Sequence, residues 1–121
     1  MTCDFPALEE DGYRDALQTM IHAIKDKNRE ECLDAAALIF CRLVQMIDAK
    51  EYAQLPLADL CAGVEYAALE LRGAKVAKRR ICMEYDVSYH RLNRVLSLLE
   101  PVLAKIREEG MQSDGGHQPA L

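Results

Sequence analysis

Seven basic side chains and two acids fall between residues 72 and 94, in a chain whose formal net charge is −5. Lys75, Lys78, Arg79 and Arg80 form a first group; Ser88, Tyr89, His90, Arg91, Asn93 and Arg94 form a second. These residue types suit a polyanion. Lysine and arginine neutralise phosphate, arginine also reads guanine and asparagine reads adenine, and hydroxyl and imidazole groups hydrogen-bond phosphates or base edges. A basic triplet alone is more often the solvated face of a helix. Spacing therefore has to decide.

Other chemistries have less to work with. Cys41 with His22, or Cys82 with His90, has the residue types of a nucleophile and its base, but both cysteines fall on apolar stripes that read as core. The acid pairs Glu9–Glu10, Glu30–Glu31 and Glu108–Glu109 stand near expected helix ends, where capping and solvation account for them. There is no glycine-rich phosphate loop and no CxxC spacing, and histidines at 22, 90 and 117 are too scattered for a zinc motif. The expectation is no catalytic residue, no metal and no cofactor. Cysteines at 3, 32, 41, 61 and 82 read as reduced, buried thiols rather than a disulfide framework. The longest apolar run, 35-AAALIFC-41, is far shorter than the roughly 20 residues of a membrane span, and the N-terminus carries acid where a secretory signal carries base. Both point to a cytoplasmic protein.

At 121 residues, half of them hydrophobic and 29 % charged, the chain has the size and composition of one globular domain with an aliphatic core. Charge is segregated: residues 72–107 hold nine bases and three acids, while residues 1–71 hold six bases and fourteen acids. The acidic total is thus compatible with a local cationic surface. Periodicity indicates an all-α fold. Leu17, Met20, Ile21 and Ile24 mark a first helix over 13–27, and 28-NREE-31 has the form of a capping box that opens a second. That second helix is expected to reach about Glu51, with Cys32, Ala36, Ile39, Phe40, Leu43, Val44 and Ile47 as a wide apolar face. Residues 13–51 then make a helical hairpin, available for dimerisation or for a protein partner through 32–47. Pro56 is placed in the first turn of a third helix, about 57–72, that buries Leu60, Val64, Ala67, Ala68 and Leu71 and stops at Gly73. Pro101 either opens a C-terminal helix over 101–109 or kinks the one before it, and 110–121 reads as a disordered tail.

Residues 78–97 fit a helix-turn-helix. With Lys78 as position one, the buried slots hold Ile81, Tyr85, Val87, Leu92 and Val95, and the tight crossing holds the small Cys82. The turn position that needs a left-handed backbone holds Asp86, and Ser88 is placed to cap the second helix. That helix buries Leu92, Val95, Leu96 and Leu99 and turns Tyr89, His90, Arg91, Asn93, Arg94 and Ser97 outward. The basic residues before it supply phosphate contacts.

The segment 71-LRGAKVAKRRICMEYDVSYHRLNRVLSLL-99 resembles the PapB-type regulators of fimbrial adhesin operons and, more distantly, the KorA-like plasmid repressors. A helix ends near Gly73, a basic segment runs from Lys75 to Arg80, Cys82 to Tyr85 lead into the turn, and a polar helix starts after Ser88. The resemblance covers about 57–106. It implies a small, all-helical, oligomeric protein, acting on operator DNA in bacteria or their mobile elements. The expected function is a sequence-specific transcriptional regulator that binds double-stranded DNA as a homodimer. The rival reading is an all-helical protein-interaction module, such as a secretion chaperone or a phage-encoded inhibitor of a host complex.

Overall fold

A computed structural model describes residues 11–117, and every regular element among them is helical. Six α-helices follow in order: α1 (Asp11–Asp26), α2 (Leu33–Met46), α3 (Ala49–Ala53), α4 (Leu57–Leu71), α5 (Lys78–Tyr85) and α6 (Tyr89–His117). A single 3₁₀ turn, Glu30–Cys32, leads into α2.

The architecture is organised around α4. The run 60-LCAGVEYAAL-69 is apolar almost all round, and a helix of that kind has no face to give to water. Asp59 to Glu65 and Ala67 to Leu69 are buried, with α1, α2, α5 and α6 packed about them. Small residues permit the close approach. Gly63 lies directly beneath α6: a Cβ there would stand 2.3 Å from Val95 Cγ1 and 3.0 Å from Val95 Cβ. Met20 and Ile24 from α1, Ile39, Phe40 and Leu43 from α2, and Leu92, Val95, Leu99 and Val102 from α6 complete one core.

Three helices end by the same device. At the close of α1, α4 and α5 the residues Asn28 (φ 57°), Gly73 (φ 82°) and Asp86 (φ 54°) are left-handed. In each case two backbone N–H groups fold back onto the last turn: Asn28 to Lys25 and Arg29 to Ile24, Gly73 to Glu70 and Ala74 to Leu69, Asp86 to Met83 and Val87 to Cys82. This is the Schellman arrangement, which satisfies carbonyls that a helix end leaves open.

Several expectations need correction. Asn28 does not cap a second helix; it terminates the first, and the 3₁₀ turn that follows has no side-chain cap. The helix expected to reach Glu51 breaks at Ile47, whose backbone is extended, because Asp48 caps a new helix by accepting from the Lys50 N–H. Pro56 precedes α4 as its N-cap residue instead of entering the first turn. Most of the apolar face of 32–47 is not open to a partner. Cys32, Ala36, Ile39, Phe40, Leu43 and Val44 are buried in the core, since α4 needs cover on that side. Nor does Pro101 start a new helix: α6 passes through it without interruption. The tail expected to be disordered is helical to His117, two residues before Pro119, whose ring disfavours helix in the residue ahead of it; residues 118–121 and Cys3 lie outside the described residues.

Gly63→Ala should lower stability by about 1–3 kcal/mol through overpacking against Val95. Gly73→Ala, where a Cβ meets nothing within 4 Å, should lose about 1–2 kcal/mol through backbone strain alone. Urea denaturation separates the causes, because adding Val95→Ala relieves the first loss and leaves the second unchanged.

Candidate nucleic-acid interface

The candidate interface is built from α5, a three-residue turn and the first turns of α6. Asp86 adopts the left-handed conformation the turn requires, and Val87 drops into the core beside Ile81 and Cys82. Ser88 Oγ accepts from the Arg91 N–H at 3.1 Å, so α6 starts with a side-chain cap. Leu92, Val95 and Leu99 then face α4 as expected, and Leu96 is half-buried. Tyr85, placed in a buried slot by the sequence, is half-buried, with its ring against Lys27 and its hydroxyl turned inward.

The polar residues of the expected site divide by partner. Ser88, Tyr89, His90, Arg91, Asn93 and Arg94 are all exposed, as are Lys75, Arg79 and Arg80, while Lys78 is half-buried. Besides Ser88, which caps α6, four of them are engaged within the fold. Arg80 pairs with Glu84 one turn along at 3.1 Å. Lys78 Nζ donates to Asn93 Oδ1 at 2.9 Å and lies 6.0 Å from the Tyr66 ring centre. Arg91 makes a two-pronged pair with Asp59 of α4, Nε to Oδ2 at 3.1 Å and Nη2 to Oδ1 at 2.5 Å. Lys75, Arg79 and Arg94 make no ion pair among the described residues. His90, Asn93, Arg94, Ser97 and Leu98 line a shallow concavity of about 480 Å³ on the outer side of α6.

Two acids that sequence reasoning passed over hold this assembly in place. Asp59 and Glu65 are buried in α4, where an unpaired carboxylate would be costly. Glu65 is wholly enclosed and bonds Lys27 Nζ at 2.9 Å, the Arg29 guanidinium and the Tyr85 hydroxyl. Arg29 extends a second fork to both oxygens of Glu84, each at 2.9 Å. The end of α1, the middle of α4 and the last turn of α5 thus meet at one carboxylate. Burial would raise the Glu84 pKa, but the hydrogen bonds from Arg29 and Arg80 outweigh it and hold the carboxyl below its ordinary 4.5. Burial, reinforced by the bond to Glu65, pushes the Tyr85 phenol far up. The signal for Glu65 was the charge interrupting an otherwise apolar 60–69; on a helical wheel an acid defaults to the solvent side, which hid it.

Little else converges. Burial first and Glu65 second push the Cys32 and Cys61 thiols up to about 11, away from a reactive thiolate. Cys41 and Cys82 are buried, whereas His22 and His90 are exposed. Among the described residues no cluster of three or more His, Cys, Asp or Glu side chains is placed to hold a metal ion, and no helix is long and apolar enough to cross a membrane. Comparison with family models, with curated proteins and with solved structures finds no significant match to this chain.

Tyr85→Phe should cost about 1.5–3 kcal/mol in urea denaturation, the range for a hydrogen bond to a charged acceptor, with helical content unchanged. Because the folded Glu84 carboxyl lies below its unfolded value, its contribution to stability is complete above about pH 4.5 and is lost as pH falls through the lower folded value. Glu84→Gln should therefore flatten the acid side of the stability–pH curve, measured by denaturation between about pH 3 and pH 6.

Proposed function

We propose that this protein is a sequence-specific, duplex-DNA-binding transcriptional regulator that uses residues 78–97 as a helix-turn-helix. The observation that carries the reading is the outer ridge of α6. His90, Arg94 and Ser97 recur at helical spacing on the side away from the core, beyond a capped N-terminus, and the exposed cations Arg79, Lys75 and Arg94 make no ion pair among the described residues. A helix N-terminus favours a phosphate, and arginine at this place on a helix suits a guanine edge or a second phosphate. Tyr89, 52 % exposed, adds a planar group with a hydroxyl at the ridge's edge. In a homodimer, two such ridges one DNA turn apart would read an inverted repeat.

A second reading, the helical protein-interaction module, draws on a different surface. Leu43, Met46, Ile47, Leu98, Pro101 and Val102, joined by Glu51 and Ser97, line a mainly apolar groove of about 310 Å³, with Met46 nearly half exposed. The two readings differ in salt response, since DNA binding weakens with salt and partner binding in the groove does not. Duplex fragments selected on the purified protein should be retained at about 50 mM salt and released over about 1,000-fold by 200 mM. The double variant Arg79→Ala, Arg94→Ala should lose at least tenfold in affinity with its circular dichroism unchanged. Absence of duplex retention at the lower salt would sink the DNA reading and favour the groove.

A further inference from the structure

Arg91 and Arg94 look equivalent in the sequence, but they are not equivalent in the fold. Three positions apart, they are neighbours on the surface of α6, yet among the described residues only Arg91 has an acid to answer. The Asp59 carboxylate is 2 % exposed, while the Arg91 side chain reaching it is 45 % exposed. Both Asp59 oxygens are occupied by Arg91, through Nε and Nη2, in the fork geometry that matches guanidinium to carboxylate. Arg91 also gives its backbone N–H to the Ser88 cap. On the opposite flank Asn93 is held by Lys78. The first turns of α6 are therefore fastened on both sides, to α4 through Arg91 and to α5 through Asn93, and what stands clear between the fastenings is His90, Arg94 and Ser97.

We infer that Arg91 is a positioning residue, not a reader: it stays on Asp59 in the complex and sets the attitude of α6, so that Arg94 carries the ionic contact this helix makes with DNA. The inference rests on the DNA-binding reading above and narrows it. Its physical basis is the asymmetry of the exchange. Were Arg91 to leave for a phosphate, a carboxylate in the core would lose both its hydrogen bonds and its only counter-charge among the described residues. The pair is only part-buried, but leaving its buried member alone is the expensive direction, and one exposed phosphate contact in high dielectric does not match it. Arg94 surrenders nothing by binding, since no acid among the described residues holds it. A lysine at 91 would be a poor substitute, because a point charge cannot hold both oxygens of Asp59 at once.

The test compares salt dependence, which counts phosphate contacts and is insensitive to a helix that is merely mis-set. Arg94→Ala should lower affinity at least tenfold and flatten the slope of log affinity against log salt by about 0.9 for each bound protomer, the value for one phosphate. Arg91→Ala should weaken binding while leaving the slope at the wild-type value. The paired change Asp59→Asn, Arg91→Gln, which replaces the ion pair with amides able to bond each other, should restore affinity to within about threefold of wild type, again at the wild-type slope. If the paired variant flattens the slope by as much as Arg94→Ala, Arg91 itself meets the nucleic acid and the inference is wrong. Should the paired variant lose helicity, the wild-type chain decides: under titration with duplex the Arg91 Nε–H resonance should stay in place while that of Arg94 moves, and movement of both overturns the assignment. Failure of the wild-type protein to retain any duplex removes the DNA reading itself, and with it this inference, before any variant is compared.

Discussion

A carboxylate in the centre of the molecule sets the terms for everything around it. Glu65 has no exposure to solvent, so its charge must be answered by protein groups, and three are brought to it from separate parts of the chain. Lys27 and Arg29 flank the left-handed Asn28, whose conformation turns the chain at the end of α1 and sends both cations toward α4. Tyr85 comes from the last turn of α5. Removing one partner from such a cluster is costly, about 3–5 kcal/mol for a buried pair, although an apolar replacement of the whole cluster need not be. What the cluster secures is uniqueness. Only one rotation of α4 aims Glu65 at this corner, and that same rotation puts Gly63 beneath Val95 and Asp59 beside Arg91.

From that rotation the exposed surface follows. Tyr85 is the last residue of α5 and Asp86 the next, so fixing the phenol on Glu65 fixes the start of the turn. Val87 is then buried and Ser88 caps α6, and the cap is one residue away from Tyr89. The distance from buried acid to outward-facing helix is covered by consecutive residues with no free joint between them. Further along, Arg42 of α2 meets Glu109 of α6 at 2.7 Å, so the long helix is held at its start, in its middle and again at Glu109. Pro101 is tolerated within it because the lost backbone bond falls at Ser97, which is exposed and able to hydrogen-bond water.

Legibility in the sequence tracked how local each determinant is. Asp86, Ser88 and the stripe Leu92, Val95, Leu99 were readable because a left-handed turn, a cap and a helical period are decided within a few residues. The same holds for Gly73 and the end of α4. Asn28 was misread for a reason in its chemistry: asparagine serves equally well as a helix start and as a left-handed helix stop, and 28-NREE-31 satisfies the pattern for the first. The choice was made by Glu65, some 36 positions away, which requires Arg29 on its side of the turn. The break at Ile47 had a local sign, Asp48 three residues ahead of Glu51, but a continuous apolar stripe outweighed it. Asp59 and Glu65 were hidden because a helical wheel assigns acids to solvent, and only the all-round burial of α4 reverses that.

The buried acids also change what the basic segment can offer. Seven cations between 72 and 94 imply a strong field, yet the fold neutralises some of them: Arg91 against Asp59, and Arg80 against a Glu84 that it shares with Arg29. Lys78 keeps its charge, since Asn93 is neutral, but is fixed in direction. The positive charge that remains lies on Arg72 and Lys75 before α5, on Lys78 and Arg79 in its first turn, and on Arg94 on the outer side of α6. A cluster of that size, on an otherwise acidic chain, attracts a polyanion over roughly one Debye length, about 8 Å in physiological salt, and repels it elsewhere. On the proposed DNA-binding reading, such a balance favours one orientation of approach over tight non-specific adhesion, so discrimination would come from the few side chains that stand clear of the fold's own ion pairs.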